Sequence, residues 1–222
     1  MKKFIIISII TCIASISSIN TSHAQWSTNP SVDDSLHASD YQNFTFCNDG
    51  SGGVFYSWQT LATGTYTIHM NRKDVSGNFP WGVNGIAVNA SSSLLSQPRV
   101  AEDGSGGCYV AYEVGNADYI NCHRFDASGN SVWANPTPVF GTSTSSLTFQ
   151  NNPFVVNNYN NGVFVAAEAA GSSGGFIRGQ LIDLNGNIQW GAEGIAVVND
   201  ASSYGVRSPL AVQDGANGFV VE

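Results

Sequence analysis

The chain has 222 residues, of which 11% are charged, and a formal net charge of −8. Eight basic residues against sixteen acidic ones argue against nucleic acid or anionic lipid as partner, because both need clustered Lys and Arg. Twenty-four glycines in a Ser- and Asn-rich sequence make a turn-rich β composition, and the spread of Val, Ile, Phe, Tyr and Trp excludes disorder.

Residues 1–24 read as an export leader. Lys2 and Lys3 form the positive start, residues 4–14 the short apolar run, and Ser22-His23-Ala24 the cleavage site, which leaves Gln25 first. The run is shorter than the roughly 20 residues of a spanning helix. Cys12 lies too early in it, behind Thr11, to favour a lipid-modified N-terminus. Loss of the leader removes two lysines and no acids, so the mature charge is about −10. The protein is therefore expected to be secreted or at the cell surface, with no membrane span once the leader is gone.

Residues 26–32, Trp-Ser-Thr-Asn-Pro-Ser-Val, resemble 133–139, Trp-Ala-Asn-Pro-Thr-Pro-Val, the end of a later unit. They are predicted to be an orphan final strand that could close a ring and so remove its exposed edges. The first unit spans 44–88, with strands over 44–47, 54–59, 65–72 and 79–88. The second spans 98–139 and the third 153–198, with Ser- and Thr-rich links at 90–96, 141–150 and 200–207. A fourth begins at 209 and stops at Glu222 within its second strand.

Three features recur in one order and phase. Gly53, Gly107, Gly162 and Gly218 stand 54, 55 and 56 residues apart, three of them closing an Asp-Gly-x-x-Gly turn. An Asp-x-x-Gly-Asn-x-x-Trp signature ends at Trp81, Trp133 and Trp190, and Pro98, Pro153 and Pro209 open units. Units of four short strands at this period predict an all-β chain: a β-propeller-like array of four-stranded antiparallel blades. A closed ring of 4–8 blades needs more than three full units, so residues 25–222 are expected to be part of an incomplete propeller within a longer protein.

Superposing the units makes Gln59, Glu113, Glu168 and Glu222 equivalent ends of second strands. They are candidates for a ligand face binding a cation or sugar hydroxyls, or simply a solvated position copied by duplication. The turns at Asp74, Asp126 and Asp183 could hold calcium through their oxygens, although self-stabilised Asx turns suffice to explain them. Trp81, Trp133 and Trp190 could stack on sugar, but a Trp repeated in every unit suits packing between blades. His69 and His123 look equivalent, with Arg178 in the third unit, and one His per unit is not a metal site. Cys108 and Cys122 look like facing positions of a hairpin and are a candidate disulfide, with Cys47 left over in a first strand. No nucleophile elbow, P-loop or His-Glu-x-x-His appears, and no cofactor is implied.

Asp-Gly-Ser-Gly-Gly before an aromatic strand, followed by Arg-x-Asp-x-x-Gly-Asn-x-x-Trp, resembles the propeller-like repeats of large secreted proteins from Bacteroidetes. That resemblance implies export by the type IX route and a place on the cell surface or outside the cell. Repetition without an asymmetric catalytic cluster favours a non-catalytic module that binds glycan or extracellular protein. The alternative is the N-terminal propeller of a secreted hydrolase acting on polysaccharide or peptide.

Overall fold

The computed structural model describes residues 42–115, 119–141, 147, 149–158, 161–171, 174–199, 208–216 and 218–222. The leader, the 26–32 segment and the 200–207 link lie outside the described residues. Among those described, every regular element is a strand. β1 (Gln42–Asn48), β2 (Val54–Ala62), β3 (Thr65–Lys73) and β4 (Ile86–Ser91) form one antiparallel meander in that order. β5 (Leu95–Glu102), β6 (Cys108–Val114), β7 (Tyr119–Phe125) and β8 (Thr137–Pro138) form the second. β9 (Phe149–Asn157), β10 (Val163–Gly171), β11 (Gly174–Ile182) and β12 (Ile195–Asn199) form the third, and β13 (Ala211–Gln213) pairs with β14 (Phe219–Val221).

The first strands lie side by side, β1 against β5, β5 against β9 and β9 against β13, so the sheets fan out from one line. Apolar cores fill the space between consecutive sheets. Phe55, Ile68 and Met70 meet Val100, Cys108 and Val110 between the first two. Tyr109, Ala111 and Cys122 meet Val163, Val165 and Ala167 between the second and third. Phe164 and Ala166 meet Ala211 and Phe219 beyond the third, the Phe164 and Phe219 rings stacked at 4.2 Å. The central strand β6 is buried along its whole length, which is why Cys-Tyr-Val-Ala-Tyr shows no polar alternation.

Several strand boundaries differ from the sequence reading. The fourth strand of the first unit begins at Ile86, not 79, because Gly82 and Gly85 have positive φ and close successive turns. The first strands of the second and third units begin at Leu95 and Phe149, ahead of their prolines. Each first strand carries a bulge whose residue takes a left-handed conformation: Asn43, Gln97 and Asn152, with Ser208 preceding β13.

The repeated glycine is fixed by proximity. A Cβ on Gly107 would lie 2.2 Å from Phe125 O and 2.9 Å from Asp103 Oδ2. Gly107→Ala is expected to destabilise the fold by about 1–3 kcal/mol. Gly64→Ala is the control: Gly64 has φ +80° and open space around it, so it carries only a backbone cost of about 1–2 kcal/mol. Urea unfolding of both variants checks this, and a Gly107→Ala variant as stable as wild type would show that the close approach does not require glycine.

Candidate functional site

The Asp-Gly-x-x-Gly turn is held by its own aspartate. Asp49 Oδ1 accepts from the N–H groups of Ser51 (2.8 Å) and Gly53 (2.7 Å), and Asp103 Oδ1 does the same with Ser105 and Gly107. Each Oδ2 pairs with an arginine on the third strand, Arg72 to Asp49 and Arg124 to Asp103, both at 2.8 Å. The third unit replaces both partners together: Asn158 stands for the aspartate and Leu181, opposite Phe164, for the arginine. Burial pushes Asp49 up, but the hydrogen bonds from Ser51, Arg72 and Gly53 and the Arg72 charge outweigh it and hold the carboxyl below its usual range. A depressed folded-state pKa gives stability that is present above the unfolded value, near 3.9, and is lost as pH falls through the folded value. Acidification below about pH 4 is therefore expected to lower the melting temperature. Asp49→Asn is expected to be less stable at pH 7 and to have a flatter pH profile, measured by thermal melts from pH 2 to 7.

The Asp-x-x-Gly-Asn turns satisfy their own carboxylates as well. Asp126 Oδ1 accepts from Ser128 N (2.8 Å) and Asn130 N (2.9 Å), and Oδ2 from Asn130 Nδ2. Asp74 and Asp183 repeat the pattern. The tryptophan ending each signature joins its own sheet to the next. Trp81 Nε1 donates to Ala127 O (3.0 Å) and Trp133 Nε1 to Leu184 O (2.9 Å). Each indole also lies on the glycine of that next turn: Cβ atoms on Gly129 and Gly186 would come within 3.1 and 3.0 Å of Trp81 and Trp133. Trp190, the third of the series, is partly buried against Phe164.

Three of the four equivalent second-strand residues are buried rather than solvated strand ends. Gln59, Glu113 and Glu168 each stand opposite an isoleucine in the register and are buried. Glu113 Oε2 accepts from Ser96 Oγ (2.9 Å) in its own sheet, and Oε1 from Asn152 N (2.8 Å) in the next. Glu168 Oε1 accepts from Asn152 Nδ2 (2.8 Å) and from Ser208 N (2.6 Å) one sheet further on. These carboxylates thus tie the left-handed bulge of one sheet to the following sheet. Glu222 is exposed, and its backbone pairs with Leu210.

The candidate disulfide is corrected. β6 and β7 pair Cys108 with Phe125 and Cys122 with Ala111, so the two cysteines are three positions out of register. An odd offset puts them on opposite sheet faces: Cys108 lies in the core between the first and second sheets, Cys122 in that between the second and third. Both are buried free thiols. Burial raises both, and burial together with the Glu102 charge pushes half-buried Cys47 up to about 12. Iodoacetamide is expected to leave Cys108 and Cys122 unmodified in the folded protein and to label both after unfolding without reductant. A disulfide-linked peptide in the mass spectrum would reverse this correction.

The histidines are also not equivalent. His69 stands opposite Trp58 and His123 opposite Val110, because the second hairpin is two residues shorter. His69 stacks on Trp58 at 5.2 Å. His123 is buried, which lowers its pKa. Its Nε2 lies 3.0 Å from Ser131 Oγ, whose one proton goes to Trp133 O. With the hydroxyl proton given to Trp133 O, Nε2 is the donor of this contact.

A cleft of about 470 Å³ opens instead where the first strands meet. Thr45–Asn48 of β1, Arg99–Glu102 of β5, Phe154–Asn157 of β9 and Ala211–Gln213 of β13 line it. Asn48, Glu102, Asn157 and Gln213 occupy one repeated position, the residue before the turn aspartate or asparagine. Asn157 Nδ2 donates to Glu102 Oε1 (2.9 Å), Gln213 Nε2 to Asn157 O, and Gly104 N to Glu102 Oε2. Phe46 is 66% exposed, and Arg99 is half-buried. Sequence reasoning passed over this set, although an oxygen-bearing side chain recurs there in all four units. Among the described residues no group of three His, Cys, Asp or Glu is placed to hold a metal ion. No protein family and no curated protein matched the sequence.

Proposed function

We propose that the chain is an exported β-propeller-like binding module that takes its ligand in the cleft between the first strands and does no chemistry on it. The observation that carries this reading is the cleft itself. Its volume falls within the range of small-molecule sites, about 300–1,000 Å³, and it combines apolar walls with a few converging polar groups. The blade reading is supported by the fan of meanders and by the Trp81 and Trp133 contacts, which repeat one geometry from sheet to sheet. The repeat type supports a place beside the secreted, type IX-exported Bacteroidetes proteins that it resembles, at the cell surface or outside the cell. Ligands within this reading are glycans or extracellular protein segments.

The test uses the purified mature protein on a glycan array, with the same glycans then followed for cleavage. Retention of a defined glycan without turnover is expected. Hydrolysis of any bound glycan or peptide would replace this reading with that of a secreted hydrolase. Sequencing the exported protein is expected to begin at Gln25; an intact leader would overturn the export reading.

A further inference from the structure

We infer that the open side of the β13–β14 hairpin docks a β-strand ending in an Arg-x-Asp-x-x-Gly turn, with an apolar residue between arginine and aspartate, supplied by a further unit of the same repeat. This surface is separate from the cleft and does not depend on its ligand. The complete sheets show what such a strand brings. Its arginine pairs with the turn aspartate of its own unit, as Arg72 does with Asp49 and Arg124 with Asp103, both at 2.8 Å. The residue before the next aspartate enters the core shared with the preceding sheet, as Phe125 and Ile182 do. The turn that follows accepts the preceding tryptophan, Trp81 at Ala127 O and Trp133 at Leu184 O.

Beside β14 each of these groups stands without its counterpart among the described residues. Asp214 Oδ1 accepts from Ala216 N (2.6 Å) and Gly218 N (2.9 Å), as Asp49 and Asp103 do in their turns, but its Oδ2 has no cation. The half-buried Trp190 donates its backbone N–H to Gln180 Oε1, and its indole N–H has no acceptor. β14 pairs with β13 along one edge, which leaves the N–H and C=O groups of its other edge free. A Cβ on Gly53, Gly107 or Gly162 would strike third-strand backbone, at Lys73 O, Phe125 O and Ile182 O. The three atoms nearest to one on Gly218 all belong to the Asp214 carboxylate. An apolar pocket of about 300 Å³ lies there, walled by Phe164, Trp190, Val197, Phe219 and Val221.

Charge and register select the occupant. The chain changes acid and base together: where Asn158 replaces the aspartate, Leu181 replaces the arginine. Asp214 restores the acid, so the strand it meets should carry the arginine. Arg72, Arg124 and Leu181 stand opposite the second residue of each second strand, Phe55, Tyr109 and Phe164. The same register sets the incoming arginine opposite Val220 and the apolar residue opposite Phe219, at the pocket. Main-chain bonds along the free edge of β14 supply affinity, and the side chains supply selection. A folded second copy does not fit, because its Arg72 and Arg124 are already bound to its own aspartates.

The experiment titrates the isotope-labelled protein with a synthetic peptide of residues 119–132, which carries Arg124, Phe125 and the Asp126 turn. The peptide has Cys122→Ser to prevent oxidation. Nuclear magnetic resonance follows the indole N–H signals, and Trp190→Phe identifies that of Trp190 by its loss. Saturable binding that moves the Trp190 signal is expected, and calorimetry then compares variants. Asp214→Asn in the protein and Arg124→Gln in the peptide should each lose about tenfold in affinity. Both together should lose no more than either alone, because they remove one interaction. Asp214 is exposed, so Asp214→Asn is expected to keep its fold, which thermal melts check. No binding, equal binding of a scrambled peptide, or additive losses from the two substitutions would each overturn the inference. So would a Trp190 signal that moves when the protein alone is concentrated, since a second copy would then be the occupant.

Discussion

Trp133→Ala is expected to destabilise the protein by about 3–5 kcal/mol. The indole is buried between the second and third sheets, 6.0 Å from Tyr109 by ring centroids, and it fills the space that a side chain on Gly186 would otherwise take. Its removal leaves a cavity across two sheets and takes the shorter of two donors from Leu184 O, which keeps Arg124 Nη1 at 3.4 Å. Trp133→Phe keeps most of the packing and loses the hydrogen bond, so a cost of about 1–2 kcal/mol is expected beyond any repacking. Trp190→Ala should cost less than Trp133→Ala, because Trp190 is only partly buried. Urea unfolding followed by circular dichroism measures all three. If Trp133→Ala abolished glycan binding and left stability unchanged, the tryptophans would be sugar platforms and not inter-sheet packing.

Glu113→Ala is expected to cost about 3 kcal/mol, the loss of hydrogen bonds from two buried donors to a charged acceptor. Those donors are Ser96 Oγ, from the same sheet, and Asn152 N, from the next. Glu113→Gln keeps an oxygen for Asn152 N, and the Ser96 hydroxyl can turn to accept from the new amide, so about 1 kcal/mol is expected. Because Asn152 also donates its side-chain amide to Glu168, Glu113 and Glu168 belong to one network. Their double alanine variant should depart from additivity by about 0.5 kcal/mol or more. Strict additivity, or a Glu113→Ala variant as stable as wild type, would mean that the carboxylates do not couple the sheets.

Much of the fold is legible in the residues themselves. The glycine and aspartate turns recur every 55 residues or so, and local chemistry alone explains them: Asp49 and Asp103 bond N–H groups two and four residues on. A tryptophan in the same phase of each unit was readable as packing, since a position copied into every unit must serve every interface. The partner of each tryptophan was not readable. Ala127 O and Leu184 O lie 46 and 51 residues away and contribute backbone atoms, which leave no mark on residue type.

Misreadings arose where counting replaced pairing. The hairpin joining β6 and β7 is two residues shorter than that joining β2 and β3, so counting forward equated His69 with His123. The same counting, without the register, set Cys108 against Cys122. Antiparallel register runs backwards from the turn, and an error of three places moves a side chain to the other face. The carboxylates looked like a solvent-facing ring because a strand end is usually wet. Asn152, at the bulge of the third sheet, instead bonds both Glu113 and Glu168, and both are buried.

By itself, then, the order of residues determines the strands, the turns between them and the period, because these depend on φ preferences and hydrogen bonds within a few positions. Only the tertiary structure decides which groups share a site. Arg99 and Asn157 are 58 residues apart and come to one cleft because the first strands of successive sheets lie side by side. That juxtaposition is set by packing between sheets, which acts on whole faces and not on neighbours in the chain.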